Sequence, residues 1–134
     1  MIMKQDNKLT GNMGEELAAE YLQEKGYKIE ERNFRTRFGE IDIICWDGPI
    51  LVFVEVKTKI GHDFGEPEEM VNKTKLGQVQ RMGEVYTELK TQELKESRTQ
   101  DRNRWKGRCR VDVMAIVLKE SGEVERLEHY EAVY

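Results

Sequence analysis

Two short segments of the chain carry side chains that could do chemistry, GEID at residues 39–42 and VEVK at residues 54–57. Side chains alternate along a strand, so Glu55 and Lys57 would share one face. Such a carboxylate and amine could help to bind a cation and to stabilise charge on a phosphate. An isolated Glu-x-Lys pair is more often a solvated ion pair, so the interpretation depends on a second acid at the same place.

The second acid comes from the predicted strand pairing. Asp47-Gly48 predicts a two-residue hairpin turn between the segments, which places Glu40 opposite Glu55 and makes Asp42 a diagonal neighbour of Glu55. The Cβ atoms of such neighbours lie roughly 7 Å apart. Carboxylates this close repel each other unless a cation lies between them, and hard oxygen ligands suit Mg²⁺ or Mn²⁺. We therefore predict a divalent-metal site at Asp42 and Glu55, with Lys57 beside it.

The chemistry that such a site predicts is hydrolysis of a phosphodiester. A bound metal ion would polarise the phosphodiester and lower the pKa of a water molecule. Lys57 could hold the attacking water, help to deprotonate it, or stabilise the charge that develops on the phosphate. The alternative is that Glu40, Glu55 and Lys57 are exposed charges that form an ion pair at strand ends. Against this, the ILVFV stretch before Glu55 is apolar on both faces, as is typical of a central strand.

A third carboxylate could come from the first predicted helix, residues 10–25, where Gly14 is followed by two acids. Glu15 borders the apolar side of this helix and could reach the end of the sheet, whereas Glu16 should be solvated. Gly14 lies within the apolar side, where a missing side chain lets the helix approach closely. Glu15 is also an ordinary first-turn acid that the helix dipole favours, so the residues alone leave its role open.

Three other polar residues interrupt apolar patterns. Lys75, like Gln78, falls inside the apolar stripe of the second predicted helix, where it either extends to solvent or contacts a phosphate. Asp112 interrupts an apolar strand, and an acid in this position is more often paired with an arginine such as Arg110 than a metal ligand.

The remaining candidates are weaker. Trp105 could stack on a base or cover the core. His62 is expected to be solvated, and His129 has no predicted partner. Cys45 and Cys109 lack the spacing of a metal site and predict buried free thiols.

The periodicity of the sequence predicts the element order α-β-β-β-α-β-β, which indicates a single α/β domain over residues 1–134 with a mixed central sheet flanked by helices. Residues 91–109 are polar without periodicity and predict a mobile basic loop. The predicted helices cover residues 10–25 and about 69–89, and the predicted strands cover residues 27–32, 39–46, 50–57, 111–118 and 124–130.

The net charge of −4 disfavours a nucleic-acid partner, but the charge is unevenly distributed. Basic residues are concentrated in residues 95–110. Such a basic stretch can bind a phosphate backbone even in a protein whose net charge is negative. No segment approaches the roughly 18–20 apolar residues of a membrane span, and no apolar signal segment is present, so we expect a cytoplasmic protein without a membrane partner. The predicted nucleic-acid contacts are Lys75, Arg102, Arg104, Lys106 and Arg108.

Seven or more spaced motifs resemble the YraN-like family of bacterial proteins, over most of the chain. The sequence departs from that family at Val79 and Gly83, where leucine and alanine are usual, which should loosen the second helix. The matching residues are Gly11, Gly14-Glu15, Ala18, Tyr21-Leu22, Gly26-Tyr27, Arg32-Asn33-Phe34-Arg35, residues 39–42, residues 53–57 and residues 111–113.

That family is similar to Holliday-junction resolvases and to restriction enzymes with a D…E-x-K signature. The resemblance implies a restriction-endonuclease-like fold, a Mg²⁺ or Mn²⁺ site at Asp42, Glu55 and Lys57, and Glu15 rather than Glu16 as the helix acid. Lys75 matches a lysine that the family carries on its second helix. We expect a Mg²⁺-dependent nuclease that acts on DNA, with branched or single-stranded forms as candidate substrates and a homodimer as a possible assembly. The alternative is a nucleic-acid-binding or protein-interaction module of the same fold with weak or no catalysis.

Overall fold

The computed structural model describes residues 7–61, 73–96 and 105–133. Arg102 and Arg104, two of the predicted nucleic-acid contacts, and His62 lie outside these residues. The elements are α1 (Asn7–Glu24), β1 (Lys28–Thr36), β2 (Gly39–Asp47), β3 (Ile50–Ile60), α2 (Lys73–Glu96), β4 (Cys109–Leu118) and β5 (Val124–Tyr130).

The five strands form one mixed sheet in the order β1-β2-β3-β4-β5. Strands β3 and β4 are parallel neighbours, and the chain connects them through α2. The other neighbouring strands pair antiparallel. The predicted α/β class, the mixed sheet and the element order are therefore confirmed.

The two helices pack on opposite faces of the sheet, because alternate side chains of β3 enter two separate cores. The α1-side core contains Ala18 and Leu22 of α1 with Val52 and Val54 of β3. The α2-side core contains Val79, Met82 and Tyr86 of α2 with Leu51 and Phe53 of β3. The central strand is thus buried on both faces, as its unbroken apolar run predicts.

The hairpin register differs from the prediction. Asp47 faces Ile50, so the turn is Gly48-Pro49 rather than Asp47-Gly48, and Gly48 has a φ of 56°. Each residue of β2 from Ile43 to Asp47 consequently lies opposite a β3 residue two positions later than predicted. The predicted pairing of Glu40 with Glu55 is wrong, and Glu40 faces Arg35 of β1 instead.

The helix boundaries also differ from the prediction. α1 begins at Asn7, and α2 continues to Glu96, so residues 91–96 are helical rather than part of a loop. Lys90 favours this extension, because its Nζ lies 2.6 Å from Glu30 Oε1 and 3.6 Å from Glu93 Oε2. The apolar stripe predicted for α2 was too wide, since Gln78, which the pattern placed inside it, is exposed.

The contact between α1 and β3 depends on Gly14. A Cβ atom at this position would lie 1.7 Å from Oγ1 of Thr58. Only glycine therefore lets the N-terminal half of α1 lie against β3, which confirms the predicted close approach. Gly83 has a similar place in α2, where a Cβ atom would lie 2.9 Å from the ring of Phe53. The predicted loosening of α2 at Gly83 thus overlooked a ring that packs against the glycine.

The two cysteines differ in environment. Both are free thiols, but Cys45 is buried whereas Cys109 is exposed, so the prediction of two buried thiols is wrong for Cys109. Burial raises the pKa of Cys45 to about 12. Neither helix among the described residues is long and apolar enough to cross a membrane.

Candidate active site

The site is built around a local irregularity of β2. Ile41 contributes to the α2-side core, whereas Ile43 contributes to the α1-side core, although residues two apart on a regular strand share a face. The alternation therefore breaks at Asp42. Oδ2 of Asp42 accepts a hydrogen bond from the backbone N–H of Val56 over 2.8 Å, and the regular β2–β3 ladder ends at Ile43 and Val54.

Glu55 lies beside this point and is 2% exposed. One of its oxygens, Oε1, lies 3.6 Å from Nζ of Lys57 and 3.5 Å from Nζ of Lys75. The other oxygen, Oε2, is buried and has no hydrogen-bond partner among the described residues. A buried carboxylate oxygen without a partner is costly and can be satisfied by a bound cation. The position of Lys75 inside the apolar stripe is explained by its contact with Glu55.

The carboxylates of Glu15 and Glu40 meet that of Asp42. Ligand oxygens of Glu15, Glu40 and Asp42 all lie within 4.8 Å of one another, and we call these residues the acidic cluster. Of the two candidates on α1, Glu15 is the one that reaches the site, whereas Glu16 is exposed and pairs with Arg32 at 2.7 Å.

The predicted ligand set of Asp42, Glu55 and Glu15 is brought together in a different arrangement. Asp42 lies in the acidic cluster, but Glu40 rather than Glu55 completes that group. Glu40 was not predicted as a ligand, because the predicted register placed it opposite Glu55. The spacing of GEID carried the signal, since residues two apart on a strand share a face and Glu40 stands two residues before Asp42.

Asn33 of β1 connects two members of the acidic cluster. With its side-chain amide oriented to match its surroundings, Nδ2 donates to Oε1 of Glu40 over 2.7 Å and to Oε2 of Glu15 over 3.1 Å. The backbone of Asn33 has a φ of 55°, in the left-handed region that asparagine tolerates better than most residues. This bend turns the amide toward the two carboxylates.

The carboxylates at the site hold protons more tightly than isolated ones. The pKa of Glu15 is raised to about 7 by burial first and then by the nearby Asp42 and Glu40, while Arg32 opposes the rise. The pKa of Glu55 is also raised to about 7, by burial first and then by Asp42, while Lys75 and Lys57 oppose the rise. The pKa of Asp42 is raised by burial, against the effect of the Val56 N–H. A divalent cation would relieve this accumulation of negative charge.

The described part of the predicted basic loop lies at a distance from the acidic cluster. The backbone oxygen of Arg108 accepts hydrogen bonds from Leu51 N–H over 3.0 Å and from Trp105 Nε1 over 2.9 Å. Leu51 precedes Glu55 by four residues, which is roughly 13 Å along a strand. Lys106 and Arg108 are exposed at this far position. Trp105 packs edge-on against Trp46 with ring centroids 6.1 Å apart, in agreement with its alternative role as cover for the core.

Asp112 belongs to a separate polar network on the α1 side of the sheet. Its side chain is fully buried, with Oδ1 3.0 Å from Nε of Arg110 and Oδ2 2.7 Å from Nε2 of His129. The backbone N–H of Ala132 donates to Oδ1 over 2.9 Å. The predicted pairing with Arg110 is confirmed, and His129 has a partner that its sequence context did not reveal.

The comparison with known proteins identifies close relatives. Residues 14–116 match the model of a family described as "Uncharacterised protein family UPF0102". A UPF0102 protein of Dictyoglomus turgidum is 39% identical over 124 residues, which cover 92% of this chain and 95% of the relative. Another of Pelotomaculum thermopropionicum is 37% identical over 132 residues, 98% of this chain and 100% of the relative. A third, of Syntrophomonas wolfei, is 51% identical over 80 residues, 60% of this chain and 70% of the relative.

Proposed function

The chain belongs to the uncharacterised protein family UPF0102, the YraN family that its motifs indicate, and from its acidic site we propose that it is a divalent-metal-dependent nuclease that hydrolyses phosphodiester bonds in DNA. The observation that carries the proposal is the buried Oε2 of Glu55, without a partner among the described residues, beside Asp42. Both lysines contact Oε1, so ion pairing with them leaves Oε2 unsatisfied. A bound cation would satisfy this second oxygen.

The donor set fits a hard divalent cation. Asp42 and Glu55 would hold it, with Glu15 and Glu40 as further oxygen donors, and oxygen-only sites suit Mg²⁺ or Mn²⁺ rather than softer metals. When bound, such an ion supplies Lewis-acid activation of a phosphate and an acidified water molecule. The raised pKa values of Glu15 and Glu55 support this, because burial first and neighbouring carboxylates second disfavour the charged forms, and a bound cation offsets both effects.

The two lysines provide the positive charge that a phosphate needs. Lys57 and Lys75 have 27% and 32% of their side chains exposed, so their amines can contact a substrate while they remain next to Glu55. Lys57 would stabilise the negative charge that develops on the phosphate, or hold the attacking water. Lys75, from α2, would hold the substrate phosphate from the other side. The similarity of the family's motifs to D…E-x-K nucleases, with their restriction-endonuclease-like fold, supports the same roles.

The net charge of −4 favours a second candidate, a binding module of the same fold with little or no catalysis. In that case Lys57 and Lys75 would contact phosphate, and the acidic cluster would act only to order the end of the sheet. The two candidates differ in turnover, not in architecture.

The deciding experiment is cleavage of labelled duplex, flap, junction and single-stranded DNA in the presence of Mg²⁺ or Mn²⁺. We expect cleavage of at least one substrate by the wild-type protein, none above background by Glu55→Gln, and none in EDTA. Glu20→Gln, an exposed acid of α1, is the matched control and should cleave as the wild type does. Binding of a substrate without cleavage in either metal would favour the module. Sedimentation of the same samples tests the proposed homodimer.

A further inference from the structure

A polar cleft opens between α1 and β1, directly beside the acidic cluster. Its volume is about 380 Å³, within the roughly 300–1,000 Å³ of typical ligand pockets. Glu15 belongs both to this cleft and to the acidic cluster, so anything bound in the cleft lies next to the proposed metal site. The cleft is lined by Asn12, Glu15, Glu16, Arg32 and Asn33.

Arg32 is the cationic group of this cleft, and its hydrogen bonds are incomplete. Nη1 lies 2.7 Å from Oε1 of Glu16, but Nε is buried and has no hydrogen-bond partner in the part of the chain that the structure describes. Glu16 is 65% exposed, and an ion pair with so exposed a partner contributes little to stability. Arg32 can therefore exchange Glu16 for another anion at small cost.

The geometry of a guanidinium selects the anion. Its two Nη groups donate two parallel hydrogen bonds, which match the oxygens of a phosphate, and Nη1 is the group that Glu16 would release. Asn12, on the opposite wall, adds a neutral amide that can bind the same group without adding charge. Glu15 and Glu16 repel a free anion, so a phosphate should enter the cleft only when a cation compensates these acids. A phosphate that belongs to a strand already bound at the metal site meets this condition.

From these observations we infer that the cleft binds a backbone phosphate of the DNA strand adjacent to the bond that is cut, with Arg32 as the positioning residue. The inference rests on the proposed nuclease function and extends it, since it gives the strand a path over the α1 side of the sheet. It also accounts for the Arg-Asn pair at residues 32 and 33. Arg32 holds the neighbouring phosphate, while Asn33 holds the carboxylates.

The test measures binding of a fluorescein-labelled single-stranded oligonucleotide by anisotropy in Mn²⁺, on a Lys57→Met background so that the strand stays intact. We expect Arg32→Gln to weaken binding about tenfold, the effect of one good phosphate contact. The slope of log K against log salt should become shallower by about 0.7, the value for one phosphate contact on a single strand. Arg32→Lys keeps the positive charge but loses the paired donors of the guanidinium. Its oligonucleotide affinity should lie between that of the Lys57→Met background and that of Arg32→Gln.

Two controls separate this role from a structural one. Arg126→Gln removes an arginine of similar exposure, 27% against 30%, on the distant strand β5, and should change neither affinity nor slope. Glu16→Gln releases Arg32 from its ion pair and should bind as tightly as the background or more tightly. Thermal unfolding verifies that each variant is folded.

A titration with Mn²⁺ alone distinguishes failure of the inference from failure of the proposed function. If the wild-type protein and Arg32→Gln bind Mn²⁺ equally, but the oligonucleotide affinity and salt slope are also equal, the inference is wrong and the nuclease proposal stands. If the wild-type protein binds no Mn²⁺, the proposed function is wrong and the inference falls with it.

Discussion

Oδ2 of Asp42 accepts a hydrogen bond from the backbone N–H of Val56 over 2.8 Å, so a side chain of β2, rather than a main-chain carbonyl, pairs with this residue of β3. The same carboxylate belongs to the acidic cluster. Asp42 therefore has two separable roles, one in the pairing of the two strands and one in the binding of a cation.

These roles predict different outcomes for two substitutions of Asp42. Asp42→Asn keeps an oxygen that can accept the Val56 N–H, so its free energy of unfolding in EDTA should equal or exceed that of the wild type, because a crowded charge is removed. Asp42→Ala leaves the buried N–H unpaired and should destabilise the protein by about 1–3 kcal/mol. Urea denaturation in EDTA measures both. Equal destabilisation by the two variants would contradict the role in strand pairing.

The raised carboxylate pKa values predict how the stability of the metal-free protein depends on pH. Glu15 and Glu55 each have a pKa of about 7 in the folded protein against an ordinary value of 4.5. Between these values the folded state holds protons that the unfolded state has released, so stability is higher at low pH and falls as the pH rises toward 7. Asp112 and Glu30 have lowered pKa values, so their contribution to stability is lost only at a pH below the range from 4.5 to 7.

The measurement is urea denaturation in EDTA at several pH values between about 5 and 8. The wild-type protein should lose stability across this range, and Glu15→Gln/Glu55→Gln should lose much less. Saturating Mn²⁺ should remove the loss, because a bound cation favours the ionised carboxylates. A wild-type profile that is flat in EDTA would contradict the raised pKa values.

The two lysines on Glu55 should control the pH at which the site becomes active. Both Lys75 and Lys57 lower the pKa of Glu55 against the effect of burial. Lys75→Met should therefore move the rising limb of the pH–rate profile to higher pH, and Lys57→Met should in addition reduce cleavage by roughly 10²–10³-fold if it stabilises charge in the transition state. Lys95→Met, an exposed lysine of the same helix as Lys75, is the control. If the rising limb of the pH–rate profile of Lys75→Met lies at the same pH as that of the wild type, Lys75 does not lower the pKa of Glu55.

The position of Glu15 depends on the close contact at Gly14. Gly14→Ala places a Cβ atom against Oγ1 of Thr58, so we expect a loss of about 1–3 kcal/mol in the free energy of unfolding and weaker Mn²⁺ binding, because α1 must move away from β3. Gly11→Ala, in the same helix and with none of the described residues within 4 Å of the added Cβ atom, should be neutral or stabilise the protein by about 0.5–1 kcal/mol. If Gly14→Ala changes the free energy of unfolding and the Mn²⁺ affinity no more than Gly11→Ala does, the packing of α1 is not what holds Glu15 in place.

The overall architecture could be predicted from the sequence because its strongest signals are local. The doubly apolar run that ends before Glu55 indicates a central strand, and the helix acid Glu15 follows from its position on the border of the apolar side. The proximity of Asp42 to Glu55 was also predicted, although from the wrong register, because the side chain of Asp42 reaches the N–H of Val56, the residue next to Glu55.

Other features of the site depend on backbone geometry that residue patterns do not encode. The left-handed φ of Asn33 and the break in alternation at Asp42 are both irregularities of the strands. The first turns the amide of Asn33 toward the acidic cluster, and the second ends the regular β2–β3 ladder beside Asp42. A regular strand pattern cannot predict a residue at which the regularity ends. The turn at Gly48-Pro49 was missed because Asp47-Gly48 is the stronger hairpin signal.

The central claim is that Asp42 and its neighbouring carboxylates bind a divalent cation, and Mn²⁺ titration followed by electron paramagnetic resonance at about pH 8 tests it most directly. The account predicts saturable binding by the wild-type protein, a loss of at least about tenfold in affinity in folded Asp42→Asn, and wild-type affinity in Glu20→Gln. Equal Mn²⁺ affinities for the wild type and Asp42→Asn, or no binding by either, would contradict it.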